Sequence, residues 1–521
     1  MESAQRIEAV ARAVESRDPV TGEAWRTFTA ATPEVVRHVV ILARAAQREW
    51  AGRPLGERRG VMERFRRLLV EKRGAVIELI QRETGKPRVE ALVEVLAVLN
   101  FAAFYGKVAR RVLKMHSYRA GTVAMIRKTV RVTRDPYGVI GLITPWNYPF
   151  LMPAGIAIPA LLAGNAVLLK PSEFTPSASL LLGELLREAG LPEGVLTVLP
   201  GDGTTGAALT AEKLDKVFFI GSEATGRKIA LSCAERMTPC VLELGGSDPA
   251  IVLEDADLDV AALGIAWGRF FNAGQTCVAP KRVFVVEKVY DAFVKKLAER
   301  VSRLRAGTGE VDSGPMIRAS QAGVLREQYD DAMERGASVG ARAPVNAAEN
   351  PCVFAPTVLL NAPPEARALR EETFGPLLPV VRVRDEQEAI ARANDSRYGL
   401  SASVWSRDIV RAEAVGRKLE CGSVMINDCV FAAGMADVPY GGVKASGMGR
   451  SHGVAGLLEG VQEKTYVIDP WAGWRQAYWY SYGPKISAGL ENYLKFEHGR
   501  GIFARLVAGT RAVFALYFGR D

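Results

Sequence analysis

The sequence predicts an α/β fold with two doubly wound parallel-sheet domains and a small β arm. After Asp135, apolar strands alternate with amphipathic helices, and a second series of this kind begins at Ala250. Strands that alternate with helices pair in parallel through right-handed crossovers, which produces doubly wound sheets. Residues 123–134 instead alternate apolar and basic side chains, which is typical of an exposed or partly paired strand.

The first hundred residues are predicted to be largely helical, because charged and apolar residues interleave at helical spacing through 47–100. Residues 19–23 are predicted to form a turn between an N-terminal helix and a short extended piece. In the first α/β region we expect strands at 139–143, 166–169, 195–199, 216–220 and 241–244, and helices at 150–163, 177–189 and 223–234. In the second region we expect strands at 250–253, 283–286, 377–383, 424–426 and 461–468, and helices at 260–272 and 289–303.

Residues 136–169 carry no charge and are long enough to cross a bilayer. Prolines and glycines interrupt them repeatedly, among them Pro145, Pro149, Pro153, Pro159, Gly141, Gly155 and Gly164. Because prolines and glycines break a helix, the stretch predicts a buried strand, a loop, a core helix and a turn.

Composition indicates a globular enzyme of two or three domains, with 521 residues, 48% apolar and 24% charged. The net charge of +9 comes from scattered basic residues, which predicts a mildly basic surface and no nucleic-acid partner. Six dispersed cysteines and four histidines predict neither a metal site nor a disulfide scaffold. With no apolar signal-peptide core at the N-terminus, the expected location is the cytoplasm.

The segment after Pro470 has a different character. It concentrates aromatic residues and then ends in the apolar stretch 501–518, which carries Arg505 and Arg511. The aromatic residues are Trp471, Trp474, Tyr478, Trp479, Tyr480 and Tyr482. Two interpretations remain open: an amphipathic helix that lies on a membrane surface, or a helix docked on the protein or on an oligomer partner.

Cys277 and Glu243 are the candidate catalytic residues. A thiol nucleophile and a carboxylate base are the two groups needed to oxidise an aldehyde to an acid, since the thiol forms a covalent adduct and the carboxylate activates the water that removes it. Alone, a cysteine among small residues is more often a packing residue, and a lone Glu is usually solvated. The assignment therefore depends on the surrounding motifs.

Several of these motifs follow predicted strands. Asn147 lies in a proline-bracketed loop, where its amide is suited to donate a hydrogen bond to an oxyanion. Gly221 and Ser222 open a helix, where free backbone N–H groups attract a phosphate. Lys170 and Glu173 follow another strand and could hold ribose hydroxyls. Residues 201–206 match GxGxxG, but no acidic ribose partner follows, and a plain glycine-rich turn is an equal interpretation.

In combination, the motifs closely resemble those of the aldehyde dehydrogenase superfamily, from roughly Pro19 to Ile468. They are Trp146-Asn147, Lys170-Pro171-Ser172-Glu173, Gly221-Ser222, Glu243-Leu244-Gly245-Gly246, Gly274-Gln275-Thr276-Cys277, Glu372-Thr373-Phe374-Gly375-Pro376, Asn427 and Pro439-Tyr440-Gly441-Gly442.

The resemblance implies a role for each matching position. Cys277 would attack the aldehyde to form a thiohemiacetal, whose oxyanion Asn147 and the backbone N–H of Cys277 would stabilise. Hydride transfer to the nicotinamide would leave a thioester, and Glu243 would activate the water that hydrolyses it. The remaining assigned residues would bind the cofactor: Trp146, Lys170, Glu173, Gly221, Ser222, Glu372 and Phe374. A carboxylate at Glu173 would repel a 2′-phosphate, which favours NAD, with NADP as the alternative.

The resemblance also implies the domain organisation. Residues 1–122 and 135–245 would form the NAD-binding domain, 246–440 the catalytic domain, 123–134 and 459–470 an oligomerisation arm, and 471–521 a C-terminal extension. Such arms join subunits, so a homodimer or homotetramer is expected.

The predicted function is NAD(P)-dependent oxidation of an aliphatic aldehyde to a carboxylic acid. The length and extended C-terminus also resemble succinate-semialdehyde dehydrogenases, whereas the aromatic tail resembles fatty-aldehyde enzymes that contact membranes. A CoA-acylating enzyme is a weaker alternative, because such enzymes generally lack the glutamate found at 243. A non-catalytic binding relative is disfavoured by the intact catalytic set. Residues 278–282 and 427–437 are expected to shape the substrate tunnel.

Overall fold

The computed structural model describes residues 12–119, 128–471, 473, 476, 479–480 and 482–518. The chain divides into two compact units, Met1–Lys114 with Arg134–Glu463 and Met115–Thr133 with Lys464–Asp521. Both large sheets belong to the first unit. The α/β class and the two parallel-sheet regions are confirmed, while the predicted domain boundaries stay a prediction.

The strands are β1 (Ala13–Arg17), β2 (Ala24–Thr29), β3 (His116–Arg119), β4 (Thr129–Pro136), β5 (Val139–Ile143), β6 (Ala166–Lys170), β7 (Leu196–Val198), β8 (Lys216–Ile220), β9 (Cys240–Glu243), β10 (Pro249–Val252), β11 (Arg282–Val286), β12 (Ser338–Arg342), β13 (Thr357–Leu360), β14 (Leu377–Val383), β15 (Tyr398–Gly399), β16 (Ser401–Trp405), β17 (Ser423–Ile426), β18 (Val443–Lys444), β19 (Gly447–Met448) and β20 (Val461–Ile468). The helices are α1 (Pro33–Gly52), α2 (Leu55–Glu71), α3 (Arg73–Thr84), α4 (Arg88–Val112), α5 (Leu151–Ala163), α6 (Pro176–Glu188), α7 (Gly203–Ala211), α8 (Glu223–Glu235), α9 (Leu258–Phe270), α10 (Glu287–Val301), α11 (Ala319–Glu334), α12 (Arg367–Arg370), α13 (Glu386–Asn394), α14 (Ile409–Gly416), α15 (Gly453–Leu458), α16 (Pro484–His498) and α17 (Ile502–Val513).

The N-terminal region differs from the prediction in one element. Where a helix was expected before the turn at 19–23, residues 13–17 form β1, which pairs antiparallel with β2. In the folded chain Val14 and Ser16 are buried while their neighbours are exposed, and the Ser16 hydroxyl donates to the buried Glu83, so distant partners decide the outcome. The turn itself is confirmed, with Gly22 at a φ of +77°.

Helices α1 to α4 confirm the helical prediction for 47–100. Helix α1 begins at a Thr32 side chain that accepts the N–H of Val35, with proline in the first helical position. Helix α4 is long and apolar enough to span a membrane, but half of its most apolar window is buried. Its Glu90 and Glu94 accept buried backbone hydrogen bonds, so α4 is a core helix.

The first large sheet has the strand order β19-β9-β8-β5-β6-β7, and every pair is parallel except β19 with β9. Alternate residues of β5 enter the cores on its two faces: Ile140 and Leu142 pack with helices α2 to α6, and Val139 and Ile143 with α1. Each fully buried aliphatic side chain of this kind contributes about 1.5–3 kcal/mol. The uncharged stretch 136–169 forms β5, α5 and β6, as predicted.

The second large sheet has the order β12-β13-β14-β11-β10-β16-β17, and only β12 runs antiparallel to its neighbour. The strands predicted near 250, 283, 377 and 424 are confirmed as β10, β11, β14 and β17. Apolar residues fill a core on both faces. This sheet and α9 position the segment that carries Cys277.

The second unit contains a three-stranded sheet in the order β20-β4-β3 and a hairpin of helices α16 and α17. The strand predicted over 123–134 is found from Thr129, and residues 123–127 lie outside the described residues. The strand predicted over 461–468 is β20. Of the tail aromatics, Trp474 and Tyr478 also lie outside the described residues, and the helix predicted over 501–518 is α17 with a short π-helical end.

Candidate active site

Four predicted site residues lie at the carboxyl ends of parallel strands in the first sheet. Lys170 and Glu243 end β6 and β9, while Asn147 and Gly221 follow β5 and β8. The chain leaves β5 toward β6 on one side and later returns to β8 on the other. In open α/β sheets the crevice at such a reversal binds ligands, so the topology brings these side chains to one edge.

Cys277 follows a rigid turn after α9. Asn272 and Ala273 adopt left-handed backbone with φ of 53° and 51°, and Gly274 continues the turn at a φ of +70°. A Cβ on Gly274 would collide with the backbone of Gly375, so only glycine fits this close approach. The Gln275 amide donates to the Asn272 carbonyl at 3.0 Å and accepts the Ile317 N–H at 2.9 Å, which anchors the turn.

A cavity of about 310 Å³ brings together most of the predicted site residues. Its lining includes Trp146, Asn147, Gly221, Ser222, Glu243, Cys277, Glu372 and Phe374. Lys170 and Glu173 are not among the lining residues, and none of residues 278–282 or 427–437 is either. Residues Val278, Ala432 and Ala433 instead pack in one cluster with Tyr440 and Cys277, so the expectation that the two segments shape the substrate tunnel stays a prediction.

Burial controls the protonation of Cys277 and Glu243. The pKa of Glu243 is raised to about 7 by burial, which Ser451 and Arg450 oppose. One carboxylate oxygen of Glu243 is buried without a hydrogen-bond partner. The pKa of Cys277 is raised to about 11, mainly by burial, with the Tyr440 hydroxyl and Lys281 acting in the opposite direction. A carboxylate with a pKa near neutrality is suited to act as a general base.

Asn147 is held where an oxyanion donor is needed. Its Nδ2 donates to the Gln275 carbonyl at 2.8 Å, which leaves the second N–H of the amide for another acceptor. The backbone carbonyl of Asn147 accepts hydrogen bonds from Lys86 Nζ and from the side-chain amide of Asn272. In the described part of the chain the backbone N–H of Cys277 makes no hydrogen bond. Both N–H groups belong to residues that line the cavity, and an oxyanion hole needs two such donors.

Lys281 is a buried cation that motif comparison did not single out. Its Nζ donates to the carbonyl of Thr276 at 3.2 Å and to the carbonyl of Cys277, and it lies 3.6 Å from Glu372 Oε1. Glu372 also accepts the N–H of Gly246 at 3.1 Å. The only sequence signal for Lys281 was its position four residues after Cys277.

The cavity also has the features of a dinucleotide site. Gly221 follows β8, Ser222 caps α8, and both line the cavity, so the N-terminus of α8 begins at the lining and could bind a pyrophosphate. The rings of Trp146 and Phe374 pack edge to face, 5.4 Å apart, and Glu372 supplies a carboxylate suited to ribose hydroxyls. These residues fit a nicotinamide dinucleotide.

The Lys170–Glu173 pair lies at the end of the neighbouring strand, with 3.4 Å between Nζ and Oε2. Burial lowers the pKa of Lys170, and Glu173 opposes that effect. Arg318, which lines the cavity, places its guanidinium 4.0 Å from the ring centre of Phe174, next to Glu173. Arg318 was not predicted, because only the fold brings it to Phe174.

Comparison with known proteins decides the family. The model of the aldehyde dehydrogenase family matches residues 7–466. The chain belongs to the aldehyde dehydrogenase family. It is therefore an oxidoreductase that acts on aldehydes, with NAD(P) as the cofactor, as the resemblance implied.

Two relatives differ in how far the match extends. A protein of Mycolicibacterium smegmatis named "putative succinate-semialdehyde dehydrogenase (NADP(+))" is 40% identical over 449 residues, which cover 85% of this chain and 86% of the relative. The 4,4′-diapolycopene aldehyde oxidase of a Methylomonas species is 37% identical over 505 residues, covering 96% and 94%. The latter match necessarily includes part of the segment after residue 470.

Among solved structures, the aldehyde dehydrogenase of Mycobacterium tuberculosis complexed with NAD+ superposes with a TM-score of 0.85 at 32% identity, covering 90% of this chain and 96% of that one. The three-dimensional arrangement of both large sheets therefore agrees with the family assignment.

Proposed function

We propose that this aldehyde dehydrogenase oxidises its substrate to a free carboxylic acid through covalent intermediates on Cys277, with Glu243 as the base. The observation that supports the proposal is that Cys277, Glu243 and Asn147 line one cavity at the carboxyl edge of the first sheet. Glu243 is the residue that separates hydrolysis from transfer to CoA, and its raised pKa suits that role.

The residues present account for each step. The Cys277 sulfur forms a bond to the aldehyde carbon, and the carbonyl oxygen becomes an oxyanion that the Asn147 amide and the Cys277 N–H stabilise. Trp146, Gly221, Ser222, Glu372 and Phe374 would hold NAD(P)+, which when bound would supply a hydride acceptor; loss of hydride from this carbon would turn the Cys277 adduct into a thioester. Glu243 then takes a proton from water, whose oxygen attacks the thioester carbon and releases the acid and the free thiolate.

The test is accumulation of the acyl-enzyme. Intact-mass spectrometry of Glu243→Gln after mixing with aldehyde and NAD(P)+ should show the protein plus one acyl group, because hydrolysis lacks its base. Cys277→Ala should show neither the adduct nor turnover. It should still bind NADH, which a change in NADH fluorescence on mixing would report. A Glu243→Gln enzyme that turns over at the wild-type rate would remove Glu243 from its proposed role.

For the substrate, we infer an aliphatic aldehyde with a long apolar chain. Met152, Ile220, Leu244 and Val324 supply apolar surface to the cavity. Arg318 is the one cation among the described lining residues, and it lies beside Phe174 on the side of the Lys170–Glu173 pair. A dicarboxylic semialdehyde needs a cation for its distal carboxylate, and Lys281 is already engaged by two carbonyls.

The relative that shares part of the tail, named for an apolar polyene aldehyde, is consistent with this substrate class. Succinate semialdehyde is the alternative, supported by the names of other relatives. Initial rates with succinate semialdehyde, short alkanals and long alkanals, each with NAD+ and NADP+, decide between them. A kcat/KM for succinate semialdehyde above that for long alkanals would reject the apolar proposal.

The second unit supports two further proposals. We propose that β20, an edge strand with a mostly exposed face, joins copies of the chain into a homodimer or homotetramer. We also propose that the α16–α17 hairpin lies on a lipid surface in the cytoplasm. Its inner side packs small residues, with Gly509 against Phe496 and Gly489 against Leu516.

The outer side of the hairpin carries the features that lipid binding needs. It exposes several large apolar side chains: Leu494, Ile502, Phe503, Leu506 and Phe514. Lys485 and Lys495 on α16, Arg511 on α17 and Arg500 between the two helices add positive charge. An apolar face bordered by cations is suited to an anionic membrane surface.

A further inference from the structure

The hydroxyl of Tyr440 contacts the sulfur of Cys277. It lies 3.4 Å from Sγ, within hydrogen-bond distance for sulfur, and the Tyr440 side chain is 2% exposed. Tyr440 also lines the cavity that holds Glu243. The contact joins residues 163 positions apart in the chain.

The ring of Tyr440 is fixed from several directions. Its backbone exchanges two hydrogen bonds with Ser451, of 2.8 and 2.7 Å. One face stacks on the buried His452 imidazole, with ring centres 5.3 Å apart and planes at 20°. His452 in turn packs edge-on against Phe101 at 4.5 Å. Burial lowers the pKa of His452 to about 3, so this neighbour is a neutral ring.

Because the ring is fixed, the Tyr440 hydroxyl can reach few hydrogen-bond acceptors. Tyr440 belongs to a small apolar cluster with Val278, Leu400 and Ala432, and its Oη makes no other hydrogen bond among the described residues. Burial, with Cys277 and Glu243 nearby, raises the pKa of Tyr440 well above its ordinary value. The phenol therefore keeps its proton and is a permanent donor.

We propose that Tyr440 is a positioning residue that donates its O–H to the Cys277 sulfur, stabilises the thiolate and orients it toward the cavity. The proposal rests on Cys277 being the nucleophile. A buried thiol is hard to ionise, and a charge-assisted hydrogen bond to the thiolate favours ionisation. A phenylalanine at 440 would fill the same space and give no such donor.

The thiol can be tested without turnover. Alkylation of Cys277 by iodoacetamide is followed against pH in the enzyme without aldehyde or cofactor, and modification is read on the peptide that contains Cys277. In Tyr440→Phe the alkylation profile should move to higher pH, with a rate at pH 7.5 about three- to tenfold lower. Tyr290→Phe, which removes another buried tyrosine hydroxyl remote from the cavity, should match the wild type.

A second variant reverses the expected sign. Tyr440→3-fluorotyrosine keeps the ring and makes the hydroxyl a stronger donor, so the Cys277 profile should move to lower pH. Superimposable profiles for the wild type, Tyr440→Phe and Tyr440→3-fluorotyrosine would overturn the proposal and leave Tyr440 as a packing residue. Alkylation requires no acyl-enzyme. Its result can therefore be distinguished from a result that rejects the proposed role of Glu243 or the proposed reaction.

Discussion

Lys281 and Glu372 form an ion pair of 3.6 Å that joins the Cys277 segment to the segment carrying Phe374. The lysine side chain is fully buried, and its remaining hydrogen bonds go to the carbonyls of Thr276 and Cys277. The proposed nucleophile and the carboxylate expected to bind the cofactor are thus held by one cation.

Replacing that cation should damage both stability and rate. Lys281→Met leaves Glu372 and two carbonyls without their donor, and breaking a buried pair in this way costs about 3–5 kcal/mol. Urea unfolding measures the loss, and kcat/KM should fall by at least about tenfold because the Cys277 backbone is no longer fixed. Lys296→Met removes an exposed pair with Asp259 and should cost about 0–1 kcal/mol. Equal costs for the two variants would contradict the role of Lys281.

The pH dependence of thioester hydrolysis should report Glu243. Its pKa is raised to about 7, so the carboxylate form that accepts a proton from water is lost as the pH falls through 7. In single-turnover experiments, the hydrolysis rate should fall about tenfold for each unit below pH 6. The same profile in Glu243→Gln should be slow and flat. A wild-type rate that does not change between pH 5 and 8 would exclude Glu243 as the base.

Cofactor choice should depend on Glu173. A carboxylate near the ribose repels a 2′-phosphate, and Arg318 beside Phe174 supplies positive charge close by. In Glu173→Gln, the Kd for NADP+ from fluorescence titration should fall about tenfold, while the Kd for NAD+ rises. Glu184→Gln changes an exposed glutamate on α6 and should alter neither value. Unchanged NADP+ affinity in Glu173→Gln would place the 2′-phosphate elsewhere.

The helical hairpin should hold the full-length enzyme on anionic vesicles. In co-sedimentation, binding to phosphatidylcholine vesicles should increase when phosphatidylserine is added and decrease with salt. The double variant Ile502→Ser, Phe503→Ser removes two of the most exposed apolar side chains and should stay in the supernatant. Leu231→Ser with Val410→Ser, equally exposed outside the hairpin, should bind as the wild type does. If Ile502→Ser, Phe503→Ser dissociates the oligomer and the wild type does not bind vesicles, the hairpin packs against a second copy of the chain and not against lipid.

The first sheet could be predicted because its parallel strands are short, mostly apolar runs. Strands β5 and β8 lie where expected, and Asn147, Gly221 and Glu243 therefore fall at the predicted edge. For the same reason, the motifs that follow these strands predicted that their residues lie close together. The Lys170–Glu173 pair is the exception, because it does not line the cavity.

What could not be predicted depends on partners distant in the chain. Residues 13–17 form a strand because β2 and Glu83 are present to pair with them, and no local pattern reports either. The sequence placed Lys281 only in a segment expected to shape the substrate tunnel, whereas in the fold it is fully buried and contacts two carbonyls and Glu372. The contact of Tyr440 with Cys277 requires the folded second sheet region.

Strand β19 has a consequence for the synthesis of the protein. It pairs antiparallel with β9, placing Gly447 opposite Glu243, so the strand that carries Glu243 receives its outer neighbour only after every strand of the second sheet has been translated. A nascent or truncated chain that ends before Met448 therefore presents the bare edge of β9 to other chains. Premature termination near the C-terminus would yield an aggregation-prone product rather than a slow enzyme.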